Sequence, residues 1–191
     1  SEDGKLVNRS YLVAPDGKIG PHYDKIHMFD ANVGDGRHYA ESKNFLAGGK
    51  MVVANCGAAS IGLSICYDVR FPALYRDLAS AGAAILSVPS AFTYDSGRAH
   101  WHVLLRARAI ENGAYVLAPA QIGTHENGRQ TFGHSLIVDP WGTVIAEAGA
   151  DDDFVMAEIH MAAVNKARRA LPVFSHGRSF SLSDQSEPVH D

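Results

Sequence analysis

The chain has 191 residues, 46% of them apolar and 20% charged, with a formal net charge of −4 at pH 7. That length suits one domain, or the larger part of a somewhat longer one, and the composition is that of a globular enzyme. Scattered Lys and Arg exclude a basic footprint for nucleic acid, and no apolar run reaches the roughly 18 residues of a membrane span.

In chain order, Ser1–Lys5 is a turn-like polar opening with neither a start methionine nor a signal-peptide pattern, so it carries no information on targeting if the natural protein starts earlier. Leu6–Ala14 reads as a strand that ends at Pro15-Asp16-Gly17, and Lys18–Tyr23 returns from that turn as a hairpin partner. The glycine-bearing segment from Asp30 to Lys43 is too irregular for regular structure. Met51–Ala54 and Ser60–Ile65 are β-rich, and Pro72 then opens a helix through Ala83 whose Leu74, Leu78 and Ala81 share one face. Ala84–Val88 is a buried strand, Ala99–Asn112 a helix ended by Gly113, and Tyr115–Ala118 a further strand. Ser135–Val138 and Thr143–Ala148 flank the turn Asp139-Pro140-Trp141-Gly142. Phe154–Ile159 reads as a strand, Met161–Ala170 as a short helix, and residues 172–191 as an extended polar tail.

Alternating strands and helices imply one layered α/β domain over residues 1–191, and the hairpins argue for a mixed rather than a purely parallel sheet. In such folds function gathers at the carboxyl ends of strands. Cys66 stands there, where a helix start would favour its thiolate. A lone cysteine at a strand end is more often a small buried hydrophobe, and that reading suffices for Cys56. Two cysteines at this spacing form neither a disulfide scaffold nor a zinc pattern, which favours a reducing compartment, with the cytoplasm as the expected location.

The neighbours of Cys66 change its reading. Ser64-Ile65-Cys66-Tyr67-Asp68-Val69-Arg70-Phe71-Pro72 closely resembles the nucleophile motif of the nitrilase, or carbon–nitrogen hydrolase, superfamily. Tyr23-Asp24-Lys25-Ile26-His27-Met28-Phe29-Asp30 resembles its lysine motif, and Tyr39-Ala40-Glu41-Ser42 with Phe45 and Gly48 its second-glutamate segment. Pro89-Ser90-Ala91-Phe92, Ala99-His100-Trp101, Arg106–Asn112, Gly133-His134-Ser135 and Asp139-Pro140-Trp141-Gly142 follow in family order. Each motif is weak alone; the ordered set is specific and covers essentially the whole chain.

No HExxH-type or cysteine–histidine cluster appears, so neither metal nor cofactor is expected. The resemblance implies a four-layer α-β-β-α sandwich with mixed sheets, commonly paired into homodimers or larger homo-oligomers. It also implies hydrolysis of a small-molecule amide through a thioester on Cys66, with release of ammonia. Lys25 and the Tyr67 backbone N–H would hold the oxyanion, and Glu41 would orient Lys25 or assist the incoming water. The charge of Lys25 would lower the thiol pKa. The branch most resembled acts on ω-amides of dicarboxylic acids or on deaminated glutathione. There, the position of Arg70 faces the substrate carboxylate, and those of Phe92 and Ser96, on a loop, line the pocket. Read without the family, Arg70 is equally at home in an ion pair with Asp68 or Glu111. His102 and Arg98 depart from the branch, which commonly has an acidic residue and a proline there, so the exact substrate stays open.

The family's general-base glutamate precedes its lysine motif, whereas only 24 residues precede Lys25 here, and Glu2 stands in the wrong context. The chain therefore reads as the C-terminal two-thirds or so of a family domain, lacking the N-terminal strands and helices, and inactive by itself. Other readings are an N-carbamoyl amino acid amidohydrolase or a nitrilase, a non-catalytic interaction module of the same fold, or a Cys–His hydrolase using His134. His100 and His102, two apart on a helix, point in different directions and do not make a metal pair.

Overall fold

A computed structural model describes residues 4–149 and 154–182. Its centre is a six-stranded sheet in the spatial order Val144–Glu147, Leu136–Val138, Tyr115–Ala118, Ile85–Ser87, Ala59–Leu63, Val52–Cys56. The three middle strands run parallel, and antiparallel strands flank them on both sides. The parallel strands are short and rich in Val, Ile and Leu because both of their faces are covered.

On one face lie α1 (Pro72–Ser80) and α2 (Tyr94–Asn112), whose Leu74, Tyr75, Leu78, Trp101 and Leu105 pack against Leu86, Val116 and Val138. Gly62 keeps this packing close, since a Cβ there would press on Leu78 and Ala83. On the far face α3 (Met161–Ala170) sets Val164 against Ile85 and Tyr115. Arg168 of α3 donates to the Ala83, Asn112 and Gly113 carbonyls, tying α3 to the end of α2. A hairpin of Arg9–Val13 and Ile19–Asp24 brings Tyr23 onto Leu63 and Ile65.

The layered, mixed-sheet expectation holds, and four local expectations need correction. The segment 30–43 does have regular structure: Asp30–Asn32 pairs antiparallel with His38–Ala40, and Glu41–Lys43 forms a 3-10 turn. Its turn relies on Gly34 and Gly36 at positive φ, with Asn32 and Asp35 side chains accepting from backbone N–H groups two residues on. Helix α2 begins five residues before the expected start. Gly97, which weakens the helical pattern, is there because a Cβ would collide with the Phe132 ring. Phe154–Ile159 is not a strand; it alternates in exposure, with Phe154 and Met156 in solvent, and no ladder includes it. The tail is not wholly extended, because Val173–His176 forms one helical turn in which the Phe174 ring lies near the guanidinium groups of Arg76 and Arg168. The remainder, 183–191, lies outside the described residues.

Candidate active site

The carboxyl ends of the three parallel strands run into Ile65-Cys66, Pro89-Ser90-Ala91 and Pro119-Ala120-Gln121, and all of these line one open cavity of about 940 Å³. Cys66 is half-buried in its wall, while Cys56 lies at a strand end outside it.

The Cys66 backbone has φ = +50°, in the left-handed region that a side chain enters at a cost of roughly 1–2 kcal/mol. Its N–H donates to the Pro89 carbonyl at 2.9 Å, and Asp68 N–H to the Ile65 carbonyl, so the surrounding turn over-determines the conformation. The expected helix start is different in kind. Cys66 opens a five-residue 3-10 turn, Cys66–Arg70, and the α-helix begins only at Pro72. The thiol is accordingly not lowered: burial pushes it up, against the opposing pull of the Lys25 charge, the Ala91 N–H and the Ser90 hydroxyl.

Lys25 is buried at 3% exposure, and its ammonium is paired with Glu41. The same Glu41 oxygen accepts from Phe29 N–H at 2.7 Å, and the other lies 3.4 Å from Asn8 Nδ2. Lys25 is also clamped through its backbone, which donates to Asn8 O and accepts from Gly48 N–H. Only glycine fits at 48, where a Cβ would overlap the Asp24 carbonyl. Glu41 thus fixes Lys25 in the cavity, and it is the one carboxylate lining that cavity among the described residues.

Sequence reasoning missed the residue that joins these two segments. Asp68, fully buried, accepts from Ile65 N–H at 2.8 Å, Tyr23 Oη–H at 2.8 Å, and His27 N–H at 3.1 Å, with His27 Nδ1 at 2.7 Å. His27 in turn stacks on Phe71 with ring centroids 3.6 Å apart. One carboxylate therefore sets the lysine segment against the Cys66 turn. Both motifs contain these residues, but only the fold shows that they meet.

Asp68 is consequently not an ion-pair partner for Arg70, and Glu111 pairs with Arg108 instead. Among the described residues no carboxylate pairs with Arg70; its guanidinium lies 5.1 Å from the Phe92 ring centroid and 3.2 Å from His100 Nδ1. Burial lowers its pKa, as expected for a cation with little counter-charge. Phe92 packs on Trp101 with ring centroids 5.0 Å apart and also lines the cavity. Tyr67 and Ser96 also line it, although Ser96 sits in the first turn of α2 rather than on a loop, its hydroxyl 2.6 Å from that of Thr93. Arg129, unnoticed in sequence, reaches in from just before the strand Gln130–Phe132 to donate to the Ala91 carbonyl, steadying the loop beside Cys66.

The histidines divide as helical geometry predicts: His100 meets Arg70, whereas His102 turns to Glu147. His134 also bonds Glu147 and lies outside the cavity lining, which places it away from Cys66.

A cysteine held on a strained turn beside a buried Lys–Glu pair thus opens into one cavity at the carboxyl ends of the parallel strands of an α/β fold. The comparisons give it a family: the carbon-nitrogen hydrolase profile matches residues 1–169, and the chain belongs to that family. It is 48% identical over 177 residues to deaminated glutathione amidase of Synechocystis, covering 92% of this chain and 65% of that protein. The crystal structure of the NitFhit protein of C. elegans superposes with a TM-score of 0.87 at 44% identity, over 93% of this chain and 43% of that one. Saccharomyces cerevisiae Nit3, a member of branch 10 of the nitrilase superfamily, superposes with a TM-score of 0.79 at 32% identity, over 90% of this chain and 60% of that one. The chain spans just under two-thirds of the cyanobacterial relative's length.

Proposed function

We propose that this chain carries the nucleophile of an amidase for small carboxylate-bearing amides, with deaminated glutathione or a dicarboxylic ω-amide as the substrate class. The observation that carries the reading is the meeting, in one cavity, of Cys66, the Lys25–Glu41 pair and a guanidinium at Arg70 that no carboxylate among the described residues neutralises. The substrate carboxylate would form a bidentate pair with Arg70, with Phe92 and Ser96 alongside. The Cys66 thiolate would attack the amide carbon, and Lys25 Nζ with Tyr67 N–H would hold the oxyanion. Breaking the C–N bond, with a proton passing to the leaving nitrogen, frees ammonia or an amine and leaves a thioester that water hydrolyses.

Glu41 is fully engaged in holding Lys25, and no second carboxylate lines the cavity among the described residues. The 191-residue chain should therefore stop at or before the acyl-enzyme, because proton transfer is its weak step. Intact-mass spectrometry after incubation with an ω-amide panel tests this. An acyl adduct that is lost in Cys66→Ala supports the reading, and steady turnover retained in Cys66→Ala overturns it. Complete inertness of Cys66 toward both amides and alkylating agents would favour a non-catalytic interaction module. We further propose self-association through the outer face of α2, where Val103 and Ile110 are exposed.

A further inference from the structure

A second constellation lies outside the cavity, and the amidase reading uses none of it. His102 on α2, His134 at the entry to the Leu136–Val138 strand and Glu147 at the end of the outermost strand converge from three separate elements. His102 Nε2 and His134 Nδ1 lie 2.8 and 2.7 Å from the same oxygen, Glu147 Oε1. The ligand atoms of all three residues lie within 4.8 Å of one another. We propose that His102, His134 and Glu147 form a binding site for a divalent transition-metal ion of the zinc class.

The ligand chemistry selects that class. Two imidazole nitrogens and one carboxylate oxygen are a three-ligand zinc set that leaves one tetrahedral position for water. Calcium and magnesium favour sites built almost wholly of oxygen ligands, so the two nitrogens disfavour them. With bonds of roughly 2.0–2.1 Å, a tetrahedral ion holds its ligands about 3.3 Å apart. The two close contacts must then open by about half an ångström, a change within reach of small side-chain rotations. The ion would take the place of the two N–H hydrogens now directed at Glu147, and each neutral imidazole would carry its proton on the other ring nitrogen, His102 Nδ1 and His134 Nε2. The three side chains are 35%, 31% and 33% exposed, which leaves a path for the ion and its water.

Preorganisation is the stronger argument. His134 is the second of only two non-glycine residues at positive φ among the described residues, at +57°, and it has no part in the cavity that explains the strain at Cys66. Its carbonyl accepts from Trp101 Nε1 at 2.9 Å, and its ring stacks on Phe132 with centroids 4.2 Å apart. Gly133 before it, at φ = +71°, presses so closely on Ile122 that no Cβ fits. His102 meets the same Phe132 ring edge-on at 6.1 Å, and Glu147 is held in register opposite Leu136. Three ligands are thus fixed before any ion arrives, so little side-chain freedom is lost on binding. A bound ion would clip the outermost strand of the sheet to α2.

Cobalt(II) titration of the wild-type chain, followed by zinc competition against a chromogenic chelator, tests the site without reference to amidase activity. One equivalent should bind with the visible d–d absorption of a four-coordinate ion, and without the thiolate charge-transfer band that Cys56 or Cys66 would produce. Zinc should displace it and raise the melting temperature by about 5–11 °C at a hundredfold excess over Kd. His102→Gln and Glu147→Gln should each weaken binding at least tenfold, while His160→Gln, at an exposed histidine elsewhere, should leave it unchanged. A thiolate band, no saturable binding, or equal affinity in His102→Gln and Glu147→Gln would overturn the proposal. Those two variants lie at the surface, and circular dichroism without metal separates lost binding from lost folding.

Discussion

At Cys66 two effects oppose each other, and burial outweighs the Lys25 charge and the Ala91 N–H. The sign has a kinetic consequence: iodoacetamide should label Cys66 with a midpoint above the ordinary thiol value of 9.0, rising with pH as the thiolate forms. Lys25→Met removes the nearby cation and should move that midpoint higher still, slowing labelling at pH 8 about tenfold. A midpoint below the ordinary value would refute this account of the thiol. Asp68 belongs to the same scale. Asp68→Ala leaves the Ile65 and His27 N–H groups and the Tyr23 hydroxyl without their acceptor, and should cost about 3–5 kcal/mol in urea unfolding. Asp68→Asn keeps the shape and part of the accepting capacity, so its loss should be roughly half as large. Asp68 was legible as a motif letter, but its work was not, because its Tyr23 and His27 donors come from 45 and 41 residues away.

Among the elements, α2 shows how a local pattern and a tertiary need conflict. Gly97 lowers helix propensity in the first turns, which is why the sequence pattern starts the helix at Ala99. The fold accepts glycine there because the Phe132 side chain occupies the space of a Cβ. Gly97→Ala would help an isolated helix by about 1 kcal/mol, yet the collision with Phe132 should make the protein less stable by about 1–3 kcal/mol in urea or thermal unfolding. Stabilisation instead would show that α2 starts as the local pattern implies. Segment 30–40 illustrates the reverse case: its turn residues are polar and glycine-rich, and its short strand pair became visible only once the register with Ala40 was set.

Across the whole molecule, the sheet is covered by α1 and α2 on one face and more sparsely by α3 and a hairpin on the other. The core on the helical side should dominate stability, and Leu78→Ala, at a fully buried position, should cost about 2–5 kcal/mol. The outer face of α2 carries Val103 at 68% and Ile110 at 46% exposure, and the Gly142 that follows exposed Trp141 lies against Ile110. Light scattering after size exclusion should give a mass above the 20.5 kDa of one chain. Val103→Asp should return it to one chain, because a charge placed in an apolar contact resists burial. A single-chain mass at high concentration without the substitution would remove α2 as an association surface.

The order of the central-sheet strands and of the three main helices, the hairpin at Pro15–Gly17, the family and the candidacy of Cys66, Lys25, Glu41 and Arg70 were all legible in the sequence itself. Hydrophobic periodicity, turn residues and ordered motifs are local properties of a chain. Tertiary structure alone decided what those residues meet. It gave Asp68 to the lysine segment rather than to Arg70, set the Arg70 guanidinium beside Phe92 and His100, raised the Cys66 thiol by burying it, and gathered His102, His134 and Glu147 across 45 residues of chain. The physical reason is the same in each case. Hydrogen-bond partners, burial and charge are set by neighbours in space, and in a mixed sheet those neighbours are distant in sequence.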